Sequence, residues 1–156
     1  MVTSITPKIE QIWNWLEDVP DPEIPVISVV DLGIIRDVLL DGASVKVIIT
    51  PTYTGCPAMR IISSDIKLAL AKKGITELTL KIKIAPPWTT DWISEKGRTR
   101  LEEFGIAPPQ ISGLPKSCPQ CRSCNVELVS QFGSTPCKAQ WRCNDCLEPF
   151  DYFKCI

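Results

Sequence analysis

The sequence predicts a small α/β domain with a mixed sheet, in the order helix–hairpin–helix–strand–helix, followed by a C-terminal β module stapled by a metal ion. Three observations predict it. Apolar residues recur at helical spacing in some segments and alternate at strand spacing in others. A Pro/Gly-rich stretch separates that pattern from the tail. The tail holds two CxxC pairs, Cys118/Cys121 and Cys143/Cys146, with 21 residues between them.

Thr6 and Pro7 read as a helix start, a hydroxyl N-cap followed by proline at the first helical position. Ile9, Ile12, Trp13 and Leu16 then make one apolar face. Pro20 and Pro22 end it, and DPEIPVISVVDLG reads as an ordered acidic loop with room for one helical turn. Residues 34–40 and 45–50 are β-branched and apolar, with Asp41-Gly42 between them as a hairpin signal. A helix is predicted from Pro57 to about Lys73, burying Met59, Ile62, Ile66, Ala69 and Leu70, with Gly74 as its cap. Glu77 to Ala85 alternates, with Leu78, Leu80, Ile82 and Ile84 expected inward. The crossover helix lets the second and third strands run parallel. A short helix from about Asp91 to Phe104 completes the domain, and Gly105 stops it. The expected division is 1–107 for the α/β domain, 108–116 for the linker and 117–156 for the tetracysteine module. In that module Glu127 to Phe132 and Lys138 to Arg142 read as a hairpin between two metal knuckles.

Hydrophobic residues make up 44% of the 156-residue chain and charged residues 22%, the balance of an ordinary globular protein. The net charge of -1 gives no reason to expect a nucleic-acid backbone or an anionic membrane as partner. From Lys116 onward, five Lys/Arg stand against four Asp/Glu, so the tail has no basic face and protein docking is the preferred role for it. Its aromatics Trp141, Phe150, Tyr152 and Phe153 can serve as contact residues or as core. No apolar run approaches the roughly 18 residues of a membrane helix. The opening MVTSITPKIEQIW lacks a basic stretch followed by an apolar one, so a cytoplasmic protein is expected. In that compartment eight cysteines point to metal or thiol chemistry rather than disulfides. The chain has no histidine, which excludes hydrolases of the Cys–His or Ser–His type.

About forty residues cannot fold on apolar burial alone, and a tetrathiolate ion supplies the missing stability. Zinc suits an S₄ tetrahedron, and iron fits the same ligands. Cys124 extends the first pair to CxxCxxC and is read as a spare thiol able to replace a neighbour. Cys137 and Cys155 are auxiliary thiols, or small buried residues. Cys56 lies between Gly55 and Pro57. With Pro57 as the first helical residue, Cys56 is the N-cap, where unpaired N–H groups and the helix dipole favour its thiolate form. Thr52 and Thr54 can donate hydrogen bonds to the same spot. Without a histidine to shuttle protons, such a thiolate binds soft metal or a transferred cluster better than it hydrolyses anything. Asp21, Glu23 and Asp31 in the acidic loop are ligands, caps or surface charges, with cap or surface favoured for each taken alone.

DPEIPVISVVDLGIIRDV, TYTGCPAM and APPWTTDWISEKGRTRLEEFGIAPP together resemble the iron–sulfur assembly factors of the SufT type. The tail QFGSTPCKAQWRCNDCLEPFDYFKCI is similar to that of the PaaD family, accessory subunits of the bacterial phenylacetyl-CoA epoxidase. The resemblance covers nearly the whole chain. It implies an accessory maturation factor without catalytic activity of its own, assisting iron or iron–sulfur loading of a multi-subunit phenylacetyl-CoA monooxygenase in aerobic phenylacetate catabolism. Cys56 then matches the family's reactive cysteine and Asp21, Glu23 and Asp31 its acidic signature, with Thr54 in the same motif. The implied partners are the oxygenase or reductase subunits. The oligomeric state stays open, a homodimer included. Cys124, and Arg122 where such knuckles often carry glycine, depart from the family pattern. Three other readings compete: an integral oxygenase subunit whose tail carries electrons through iron, a thiol oxidoreductase using free CxxC pairs, and a nucleic-acid-binding ribbon disfavoured by charge.

Overall fold

A computed structural model of the chain describes residues 6–154. The chain divides into two compact units, one ending at Trp88 and the other beginning at Thr89.

In the first unit α1 (Ile9–Leu16) buries Ile12 and Leu16 completely against α2 and the sheet. Its N-cap is Lys8 rather than Thr6, and the Lys8 N–H donates to Gln11 Oε1 at 2.9 Å. The helix therefore starts two residues later than the Thr-Pro signal predicts, because the glutamine side chain supplies the cap. The acidic loop is ordered, as expected. Pro20 bridges to Ser28, and Ile24, Ile27, Val29 and Leu32 are all core residues. Trp88 closes this layer, its indole N–H donating to the Leu32 carbonyl at 2.9 Å.

The hairpin forms from β1 (Ile35–Asp41) and β2 (Ser44–Ile49), paired from Ile35↔Ile49 to Asp41↔Ser44. The crossover helix α2 (Ala58–Lys72) buries Ala58, Met59, Ile62, Ile66 and Leu70. Gly74 follows at φ 89°, and the Ile75 N–H reaches back to the Leu70 carbonyl at 3.1 Å, which closes the helix with a left-handed cap. Next comes β3 (Leu78–Ile82), parallel to β2, so the sheet is mixed with the order β1-β2-β3. The expected inward face of this strand is only half realised. Leu78 and Leu80 are half-buried, but Ile82 and Ile84 are 55% and 64% exposed. The reason is register: Ile82 lies opposite Ile49, the last residue of β2, and β3 is an edge strand.

The second unit opens with a 3-10 turn (Thr90–Trp92) and α3 (Glu95–Glu103), which Ser94 caps by accepting from the Gly97 N–H at 3.0 Å. Leu101 is fully buried. Here the structure adds two strands that the sequence does not announce. They are β4 (Ile106–Ala107) and β7 (Pro149–Phe153), which join β5 (Val126–Ser130) and β6 (Lys138–Cys143) in a four-stranded sheet of order β4-β7-β6-β5. The residues just ahead of the proline-rich 108–116 stretch are thus part of the ribbon sheet, and α3 packs on β4 within the same unit. Trp141, Phe150, Tyr152 and Phe153 are buried, so these aromatics are core and not contact surface. Trp141 and Tyr152 meet edge to face at 6.2 Å between ring centroids.

Candidate metal centre

Four sulfurs converge at one end of this sheet. Cys118 and Cys121 belong to a knuckle that precedes β5. Cys143 is the last residue of β6, and Cys146 lies in the turn that leads to β7. The four Sγ atoms lie within 4.8 Å of one another, with Cys118–Cys146 at 3.7 Å and Cys121–Cys143 at 3.5 Å. A tetrahedral zinc with bonds of about 2.3 Å needs sulfurs about 3.8 Å apart. The quartet therefore fits a metal ion with little rearrangement. Cys118 and Cys143 are fully buried, Cys146 is half-buried and Cys121 is exposed. This is a closed structural cage with one ligand at the surface.

Each knuckle aims backbone amides at its sulfurs. Gln120 N–H points to Cys118 Sγ at 3.4 Å, Ser123 N–H to Cys121, Cys146 and Asp145 N–H to Cys143, and Glu148 N–H to Cys146. The turns that permit this need a left-handed residue directly after the second cysteine. Arg122 has φ 66° and Leu147 φ 64°, which explains why glycine suits this position elsewhere. Two contacts offset the strain at Arg122: its N–H donates to the Cys118 carbonyl at 2.9 Å, and its guanidinium pairs with Glu102.

The sulfurs share their protons unequally. The Cys146 amide, ahead of a smaller opposing effect of burial, lowers Cys143 to about 7. At Cys146 the Glu148 amide favours the thiolate, but burial and the three neighbouring thiols outweigh it and push the group up to about 12. Such a ring is an acceptor for a cation, which replaces the protons and removes the repulsion among thiolates.

Across the cage runs a polar contact set that the sequence did not single out. The Ser123 hydroxyl donates to Asp145 Oδ2, and Asn125 Nδ2 donates to Asp145 Oδ1 at 2.9 Å. These two hydrogen bonds hold the Asp145 carboxyl below its ordinary range. The Asn144 N–H donates to the Asn125 carbonyl at 2.9 Å. The one available sequence signal was an aspartate inside the second CxxC, CNDC.

The other candidate residues are placed separately. Cys56 is half-buried in the first unit, directly before α2. Its N–H donates to the Tyr53 carbonyl at 3.2 Å, closing a turn in which Gly55 takes φ 81°. The cap position before Ala58 is Pro57, whose dihedrals of -67° and -24° are already helical, so Cys56 stands one residue ahead of it, with its carbonyl accepting from the Met59 N–H at 3.3 Å. Thr52 is buried and its hydroxyl lies 4.0 Å from Cys56 Sγ, whereas Thr54 is exposed. Asp21 is buried, and its Oδ1 accepts from the Glu23 and Ile24 N–H groups at 2.9 and 2.8 Å, a loop cap. Asp31 is buried, with its N–H on Ser28 Oγ at 3.0 Å, and Glu23 is half-buried. Among the described residues the cysteine quartet is the group gathered at metal-ligand distance, and the acidic loop with Cys56 does not form a second one. Cys124 is exposed and outside the quartet. Cys137 is buried with its sulfur 3.1 Å from Thr135 Oγ1, and Cys155 lies outside the described residues.

Two known families match separate parts of the chain. The family described as the PaaD zinc beta ribbon domain matches residues 113–154, and the family described as iron-sulfur cluster assembly protein matches residues 9–76. Along its whole length the chain is 44% identical to a protein of Escherichia coli described as a putative 1,2-phenylacetyl-CoA epoxidase subunit, covering 98% of that protein. The chain belongs to the PaaD family. Of this PaaD-family chain, 59% aligns at 38% identity with an Fe-S protein maturation auxiliary factor of Porphyromonas gingivalis, covering 89% of it. Two solved structures share the assembly-type fold. A domain of unknown function from Bacillus anthracis is 29% identical with a TM-score of 0.56, over 60% of this chain and 90% of that one. A conserved hypothetical protein of Thermotoga maritima is 34% identical with a TM-score of 0.54, over 65% of this chain and 98% of that one.

Proposed function

We propose that this chain is an accessory maturation factor that helps load iron or an iron–sulfur cluster into a multi-subunit phenylacetyl-CoA epoxidase, and that it has no independent catalytic activity. One observation carries the reading: a partly accessible cysteine, Cys56, is not one of the four cage ligands and belongs to the unit that matches iron–sulfur assembly proteins. An ion held by all four sulfurs of the cage would commit them to structure. In the first unit Cys56 is the one cysteine, the thiol to receive iron or a cluster transiently, with Asp21, Glu23, Asp31 and Thr54 as its proposed helpers. Zinc in the ribbon fits this division of labour, because a redox-silent ion holds the fold without competing for electrons. The ribbon then docks the oxygenase or reductase subunit in the cytoplasm.

The test is a Cys56→Ser chain produced together with the oxygenase subunits. The folded variant should leave the oxygenase short of iron. Wild-type iron content and turnover in that oxygenase would refute the role of Cys56. A second reading is favoured by the Escherichia coli relative, which is described as a subunit of the epoxidase itself: the chain is an integral member of the complex, with iron in the tail carrying electrons. Stoichiometric co-purification and a visible ferric-thiolate band would support that reading, and a colourless zinc protein that leaves the mature enzyme would oppose it.

A further inference from the structure

The ribbon's sheet does not by itself set the spacing of the two knuckles. The last β5–β6 pair is Val126↔Cys143, so the sheet places one ligand, Cys143, and the other three lie outside the ladder. There Cys118 and Cys121 come from one knuckle and Cys146 from the other. What spans the gap is the polar set around Asp145. Its carboxylate accepts from the Ser123 hydroxyl and from Asn125 Nδ2, while Asn144 reaches Asn125 through its N–H at 2.9 Å and its Nδ2 at 3.3 Å. The Asn125 N–H in turn donates to Ser123 Oγ at 3.0 Å, so that oxygen is fixed from both sides. Ser123, Asn144 and Asp145 each sit one or two positions from a ligand, and none of the set is itself a ligand.

We infer that Ser123, Asn125 and Asp145 form a clasp between the knuckles and that Asp145 is a positioning residue, setting how tightly the cage holds its ion. The physical case is preorganisation. Before metal arrives, four thiols must be held within reach of one point, and repulsion among them as they lose protons drives the knuckles apart. A charge-assisted contact across the same gap opposes that movement. Outer contacts of this kind typically change metal affinity by about ten- to a hundredfold. The clasp is exposed to water, which places Asp145 at the low end of that range. The inference concerns the ribbon alone and stands whether or not Cys56 handles iron.

The experiment uses the full chain, prepared without oxygen and titrated with cobalt(II), then with zinc(II) in competition with a chromophoric chelator. Asp145→Ala should bind both ions about tenfold more weakly and lose zinc to the chelator correspondingly faster. Its cobalt spectrum should keep the shape of a tetrathiolate, because the four sulfurs are unchanged. Ser123→Thr, which keeps the hydroxyl, should match the parent, and Ser123→Ala should weaken binding. The double variant Ser123→Ala/Asp145→Ala should lose less than the sum of the two single losses, since the Ser123–Asp145 contact is common to both, while each change also removes one Asn125 contact that the other keeps. Asp145→Ala affinity within about twofold of the parent would overturn the inference, as would additive losses in the double variant. Should Asp145→Ala fail to fold, Ser123→Ala carries the test alone, and parental affinity in that variant overturns it equally.

Discussion

At the residue scale the cage makes the sharpest predictions. Cys118 and Cys143 are completely buried, and each supplies one sulfur of a quartet whose members lie within 4.8 Å. Cys143→Ser should abolish metal binding and release stabilisation of order 10 kcal/mol from the ribbon. Elemental analysis and the near-ultraviolet dichroism of the Trp141–Tyr152 pair would register both losses. Protonation gives a second handle. Cys143 is lowered to about 7, so at pH 6 it carries a proton that metal must displace, and at pH 8 most of that proton is gone. Metal uptake should therefore release about one proton fewer per ion at pH 8 than at pH 6, measurable with an indicator dye in weak buffer. The cage was legible because ligand spacing is written into two short motifs. The Asp145 clasp was not, because Ser123 and Asn125 come within reach of it only after β5 and β6 pair.

At the element scale, helices were read well and strands unevenly. The stripe Met59, Ile62, Ile66 and Leu70 is buried as its period requires, whereas Ala69, expected with it, is only half-buried. Leu70→Ala should cost about 2–5 kcal/mol in urea unfolding of the first unit. Gly74 tests backbone strain alone. It has φ 89°, and a Cβ there would meet nothing within 4 Å. Gly74→Ala should thus destabilise by about 1–2 kcal/mol through conformation and not through a clash, and Gly74→Asn should cost less. The strands that escaped notice did so for physical reasons. Ile106–Ala107 is two residues long, and β7 begins at a proline and places Asp151 between Phe150 and Tyr152. The alternation of β3 was visible, but no sequence pattern says that β3 is an edge strand whose pairing ends at Ile82.

At the scale of the whole molecule, the two units should differ in what they owe to metal. The first unit rests on apolar burial by its helices, hairpin and loop. The second packs a small core of Ala107, Ala139, Trp141, Phe150 and Tyr152 around Cys118 and Cys143. Chelation should therefore strip amide-exchange protection from β4 to β7 and leave it in α1, α2 and the mixed sheet. Equal loss in both units would contradict separate folding. Whether residues 117–156 alone suffice for the metal-bound fold is a proposal that the same experiment on that fragment tests, since β4 lies outside it. The strand order β4-β7-β6-β5 also has a consequence for biosynthesis. Translation delivers the central strand β7 after both of its neighbours and after the fourth ligand, Cys146. The ion can thus be gathered before β7 has paired, and β4 must wait, without its partner strand, until Asp151 and Tyr152 arrive to meet it.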